Sequence, residues 1–216
     1  MDSDLRHSAE EICRQVYDET RSFYAEWSPL LGEAACGFQI LCGQPIIHAP
    51  TLFLGYQPGG SQPEKGDVDG WPDELEHVGK PWLLAKRVRQ VWDVQTLRAC
   101  TGLNTIFFRS PSMRTWSNVP AKLRREMECF SRKRAERIIR ALAPQRLVII
   151  GLATFDRLTI GEVKSRTERR VLVKSGHVWG VPAFGVVHLS GARVSRNEMD
   201  QLRKYFADLP VAAAVG

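Results

Sequence analysis

The chain has 216 residues, 44% of them hydrophobic and 25% charged, with a formal net charge of +6. That length and apolar content suit one globular domain with a proper core, with residues 1–50 as a helical extension packed on it. No stretch approaches the ~20 apolar residues a membrane helix needs, and the opening MDSDLRHSAEE is acidic and polar, unlike a secretory signal. A cytoplasmic protein is therefore expected, nucleoid-associated if bacterial, with no membrane partner and as a monomer.

The five cysteines (Cys13, Cys36, Cys42, Cys100, Cys129) are scattered and form no C-x-x-C pair, which argues against a disulfide framework or a zinc site. Charge is uneven. Between 122 and 140 stand Lys122, Arg124, Arg125, Arg132, Lys133, Arg134, Arg137 and Arg140, against Glu126, Glu128 and Glu136. Such a run is either a solvated helix face or a footprint for a polyanion such as nucleic acid.

Along the chain, residues 8–26 read as a helix capped by Ser8, with Ile12, Val16 and Phe23 on one stripe. Residues 36–42 (CGFQILC) suggest a short strand, and 51–55 a firmer one closed by Gly55. A long loop rich in Gly, Pro, Asp and Glu spans 56–80, a length often tied to function. Helix resumes near Pro81, with Leu84, Val88 and Val91 in phase. Residues 104–108 (NTIFF) predict a strand, and 131–142 a helix capped by Ser131, with Ala135, Ile138, Ile139 and Leu142 at helical spacing and Pro144 beyond. A strand at 146–150 and a helix at 152–158 follow. Residues 169–174 and 177–180 suggest a hairpin around Ser175-Gly176, 184–187 a last strand ending at His188, and 196–207 a final helix. This alternation implies an α/β fold, a three-layer α/β/α sandwich around a central, mainly parallel four-stranded sheet.

Three predicted strands border unusual chemistry: Gly55-Tyr56-Gln57-Pro58-Gly59, then Asn104 with Arg109-Ser110-Pro111, then His188-Leu189-Ser190-Gly191-Ala192-Arg193. Parallel neighbours would bring these ends to one edge, where ligands of open α/β sheets bind. The ordered set resembles the uracil-DNA glycosylase superfamily over about residues 50–206. Gly55–Gly59 resembles its G-x-x-P-G turn, and His188-Leu189-Ser190 its H-P-S loop with Leu189 in place of proline. Gly79-Lys80-Pro81-Trp82 resembles the G-R-P-F stretch of the thermophilic-type branch, and Asn104–Pro111 the strand whose asparagine reads uracil there.

The resemblance implies a monofunctional hydrolase that flips uracil out of DNA and cleaves its N-glycosidic bond, initiating base excision repair without a cofactor. Gly55, Tyr56, Pro58, Gly59, Trp82 and Asn104 would bind the base. His188 and Gln57 would act in catalysis, and Ser110, Ser190, Gly191, Ala192 and Arg193 would meet the DNA. The chemistry suits the residue types. An aromatic face recovers part of the flipping cost by stacking, although Trp82 is equally readable as a core tryptophan at a helix start. An asparagine amide matches the O4 acceptor and N3–H donor of uracil. An imidazole N–H can stabilise charge developing on the departing base. Arg193 either enters the gap left by the flipped base or, more plainly, holds a phosphate.

Two departures stand out. Relatives carry Asp or Asn at the position of Gln57, or Glu at that of Tyr56, and this chain has no carboxylate there. Glu64, Asp67, Asp69, Asp73 and Glu74 of the long loop are candidates to supply one, or a solvated acidic loop. The branch with the matching asparagine also holds a four-cysteine iron–sulfur cluster, whose paired spacing is absent here, so no metal cluster is expected. The alternatives are a relative that binds DNA or a damaged base without cutting, and a glycosylase for another modified base such as hypoxanthine or xanthine.

Overall fold

A computed structural model describes residues 2–60, 70–191 and 193–209. In chain order the elements are α1 (Asp2–Trp27), β1 (Leu52–Gly55), α2 (Glu76–Gly79), α3 (Leu83–Val91), α4 (Val94–Arg98), β2 (Thr101–Asn104), α5 (Met113–Asn118) and α6 (Ala121–Leu142). Then follow β3 (Leu147–Ile150), α7 (Leu152–Leu158), β4 (Glu162–Arg166), β5 (Val171–Val178), β6 (Val181–Val186) and α8 (Arg196–Ala207). The strands form one six-stranded sheet in the order β2-β1-β3-β6-β5-β4. The first four run parallel, and β5 and β4 extend the sheet antiparallel. The expected parallel core of four strands is present, and the hairpin-linked pair makes the sheet larger than expected.

Alternation along the strands divides the core in two. Leu52, Leu54, Leu147 and Ile149 face a layer containing α1, α6 and α7. Phe53, Val148, Ile150 and Val186 face a layer containing α3 and α8. Parallel strands covered on both sides must be apolar on both sides, which is why LFL and LVII are unbroken apolar runs.

Several boundaries moved for physical reasons. The first helix starts at Asp2, so Ser8 is interior. Residues 36–42 form no strand. They run beside β2 and the segment after it through single bridges, Leu41 to Leu103 and Phe38 to Phe108, and so cover that sheet edge. The strand expected at 104–108 is β2, which ends at Asn104. Ile106, Phe107 and Phe108 are buried without a ladder, because an apolar run reports burial rather than pairing. Ser131 lies inside α6 rather than capping it, where its hydroxyl donates to the Met127 carbonyl and accepts from the Phe107 amide.

The hairpin turn sits at Trp179-Gly180, both with positive φ, the two-residue geometry that matches sheet twist. Ser175-Gly176 lies within β5 instead, where a Cβ on Gly176 would come within 3.3 Å of the Phe155 ring. The last helix matches its expected bounds, closed by a reciprocal Ser195–Glu198 capping box.

Phe155 of α7 is fully buried against β6, and a Cβ on Gly185 would lie 2.4 Å from its Cγ. Gly185→Ala is expected to lower stability by about 1–3 kcal/mol through overpacking, read as a lower midpoint in urea unfolding with an unchanged slope.

Candidate functional site

Strands β1 and β2 end side by side, with Gly55 the register partner of Asn104. The Asn104 amide is buried and donates to the Cys42 sulfur at 3.4 Å. Its Oδ1 lies so close over Gly55 that a Cβ there would sit 2.3 Å away. The chain then turns through Gln57, whose Nε2 donates to the Phe108 carbonyl at 2.9 Å. That bond fixes the side chain and leaves its carbonyl oxygen to meet a ligand. Gln57, Pro58, Gly59, Trp82 and Asn104 line one cavity of about 640 Å³. Trp82 is not a core residue. It precedes α3 at the rim, 48% exposed, with the Lys80 ammonium 5.7 Å from its ring centre.

A polar wall completes the cavity, and of its members the sequence singled out only Arg109. Arg109 Nη2 donates to Gln39 Oε1 at 2.8 Å, and Gln39 Nε2 donates to Glu76 Oε1 at 3.0 Å. Gln39 and Arg109 are both buried, so the guanidinium sets which way the Gln39 amide faces and the amide then holds the carboxylate. The Glu76 backbone N–H donates to the Cys42 carbonyl at 2.8 Å, which ties this wall to the Asn104 side. Glu76 is a carboxylate on the cavity, supplied from outside the first turn. Of the acidic residues weighed from sequence, Glu64, Asp67 and Asp69 lie outside the described residues, while Asp73 and Glu74 are exposed and do not line the cavity. His77 beside Glu76 packs edge-on to Phe53 at 5.7 Å. Burial, with Arg89 nearby, pushes its pKa down to about 4, and its Nδ1 is buried without a hydrogen-bond partner among the described residues. Burial likewise raises the Cys42 thiol well above its ordinary value.

Not every expected residue joins this cavity. Tyr56 sends its side chain into a second one, where its hydroxyl accepts from Arg157 Nη1 at 2.5 Å and donates to Glu128 at 3.3 Å. Ser110 is buried, its hydroxyl donating to the Ser112 carbonyl. Its carbonyl accepts from the Gly60 amide, so it clips the 59–60 turn in place rather than facing outward.

His188 lies beyond β6, over the end of β3, and is not on the cavity wall. A Cβ on Gly151 would lie 3.4 Å from its Cδ2. Gly191 N–H donates to its Nδ1 at 2.9 Å, which assigns the proton of the neutral ring to Nε2, and partial loss of hydration lowers its pKa. Ser190 sits beside it, Oγ 3.4 Å from Nδ1. Arg87 of α3 donates to the Leu189 carbonyl, so the 188–191 loop and the helix after Trp82 share one face of the sheet. Arg193 is exposed, its carbonyl accepting from Arg170, and Ala192 lies outside the described residues.

The basic run of α6 is partly neutralised. Arg134 and Arg137 pair with Glu19 of α1, and Arg140 pairs with Glu136. The cysteines are not grouped. Cys42 lines the cavity, Cys100 donates to the Thr96 carbonyl before β2, and Cys129 is exposed on α6. Among the described residues no three His, Cys, Asp or Glu side chains are grouped to hold a metal ion, and no helix is long and apolar enough to cross a membrane. No protein-family model and no curated protein matches this chain.

Gly55→Ala is expected to displace the Asn104 amide, costing about 1–3 kcal/mol and shifting its side-chain NH₂ resonances in an amide NMR spectrum. Because the folded pKa of His77 lies below its unfolded value near 6.5, stability is full above that pH and falls as pH drops toward about 4. Thermal denaturation between pH 6.5 and 5 should show a slope of up to about 1.4 kcal/mol per pH unit, and His77→Gln should flatten it.

Proposed function

We propose that the cavity receives a nucleobase extruded from DNA and that the protein is a monofunctional DNA glycosylase acting on uracil. The observation that carries this reading is the meeting of Asn104, Gln57 and the exposed Trp82 around one cavity at the carboxyl edge of a parallel sheet, with His188 on the same edge. Asn104 ends β2 and His188 follows β6, with β1 and β3 between them, so at about 4.8 Å per strand the two ends stand roughly 14 Å apart. A pyrimidine with a hydrogen bond at each side takes up about 10 Å of that distance, above Gly151, which has no side chain.

In this reading Trp82 stacks on the flipped base, a contact worth ~1–3 kcal/mol against the cost of unstacking. The Asn104 amide meets O4 and N3–H. The N-glycosidic bond breaks with its electron pair going to the base, whose anion accepts from His188 Nε2–H. Glu76 replaces the carboxylate absent from the first turn. Its charge, held by Gln39 and backed by Arg109, stabilises the cationic sugar and takes the proton of the water that attacks C1′. The products are free uracil and an abasic site, so the protein would open base excision repair in the DNA-containing compartment, the cytoplasm or bacterial nucleoid. A second reading, favoured by the cavity volume of about 640 Å³, is a larger lesion base such as hypoxanthine or xanthine.

Single-turnover release of free base from duplexes carrying uracil, hypoxanthine or xanthine tests both. Release from the uracil duplex is expected, reduced about 10²–10⁴-fold in Glu76→Gln and about 10²–10³-fold in His188→Ala. Preferential release of a purine selects the second reading. Tight binding of uracil-containing duplex with no release of any base would establish a binding protein and overturn the catalytic proposal.

A further inference from the structure

Consecutive residues of the first turn serve two cavities. Gln57 faces the one described above, and Tyr56 lines a second, of about 270 Å³, between α6 and α7 at the same sheet edge. Three arginines border this second cavity: Arg125 and Arg132 from α6 and Arg157 from α7. The one carboxylate on its wall, Glu128, is already engaged, by Arg124 at 3.9 Å and by the Tyr56 hydroxyl. Arg157 is held in place, its guanidinium 4.6 Å from the Tyr56 ring centre with one N–H on the Tyr56 hydroxyl. Arg132 donates only to a backbone carbonyl, that of Arg157, and Arg125 has no hydrogen bond or ion pair among the described residues. Three guanidinium groups are thus gathered on a concave surface against a single carboxylate, a local balance of 3 − 1 = +2. Like charges collected this way raise the local potential, and forked N–H donors match the geometry of phosphate oxygens bidentately.

We propose that this second cavity is a phosphate-binding site, with Arg125 and Arg132 as its free forks and Arg157 as its fixed one. The inference does not depend on the glycosylase reading. Two sources carry the chemistry: a backbone phosphate of a DNA strand lying along the sheet edge, or the phosphate of a free mononucleotide whose flat body rests on the Tyr56–Leu158 wall.

Cys129 reports on occupancy, because it lines this cavity and is the one exposed thiol of the five. The rate at which an aromatic disulfide reagent modifies Cys129 is measured in the full chain with thymidine, thymidine monophosphate or a short single-stranded oligothymidylate. The measurement is repeated in the Arg125→Gln/Arg132→Gln variant, whose two positions are exposed and whose fold is checked by circular dichroism. A phosphate-bearing probe is expected to slow modification, with thymidine inert, and the double variant to weaken that protection about tenfold or more. Protection by the monophosphate identifies a nucleotide site. Protection by the oligomer alone identifies a backbone site, and the salt dependence of oligomer binding should then become shallower by about 1.4 in the log–log slope for two lost contacts. Absence of protection by both phosphate-bearing probes, or equal protection in the double variant, overturns the proposal whether or not the protein releases uracil.

Discussion

The closest constraint at the site is the approach of Asn104 to Gly55. The two are register partners at the ends of adjacent parallel strands, and the Asn104 carbonyl oxygen occupies the space a side chain at position 55 would need. From this contact follow the burial of the Asn104 amide, its bond to Cys42, and the turn that brings Gln57 to one side and Tyr56 to the other. A buried amide costs free energy unless its groups are partnered. The weak sulfur acceptor at 3.4 Å leaves donor capacity that a heterocycle can use.

The wall opposite is built on charge. A buried arginine and a carboxylate are bridged by a glutamine. The amide holds the carboxylate in one orientation on the cavity wall. His77, kept neutral by burial, adds no competing positive charge beside Glu76. The same edge therefore carries two electrostatic characters. One cavity has a carboxylate, an arginine and amides, and the other has three arginines against one carboxylate, which suits a reading in which a neutral base and an anionic backbone are held at neighbouring places.

Much of the fold could be read before any coordinates. The helix at 196–207 was legible because its stripe of Met199, Leu202 and Phe206 is local, and the strand at 146–150 because an apolar run between a helix end and a glycine has few other uses. Errors arose where one residue type serves two purposes. Gly176 looked like a turn former, yet its smallness accommodates Phe155, while the real turn places a tryptophan at positive φ. Ser131 looked like a cap, yet its hydroxyl is spent inside a longer helix. The apolar 105–108 segment is buried by covering the core, not by pairing.

At the site, Gln57, Pro58, Gly59, Trp82 and Asn104 were legible as a group because each lies at or near the end of a recognisable element. Glu76, Gln39, His77 and Arg157 were not, and Arg125 and Arg132 were marked only as members of a basic run. What the sequence by itself determined is the alternation of buried strands and amphipathic helices, and with it the edge at which chemistry collects, since side-chain periodicity is a property of neighbouring residues. Which side chains share a cavity was decided only by tertiary structure. Gln39, Glu76 and Arg109 meet through contacts between distant segments, and whether Tyr56 or Gln57 faces a given pocket depends on backbone direction at a single turn, which no local pattern encodes.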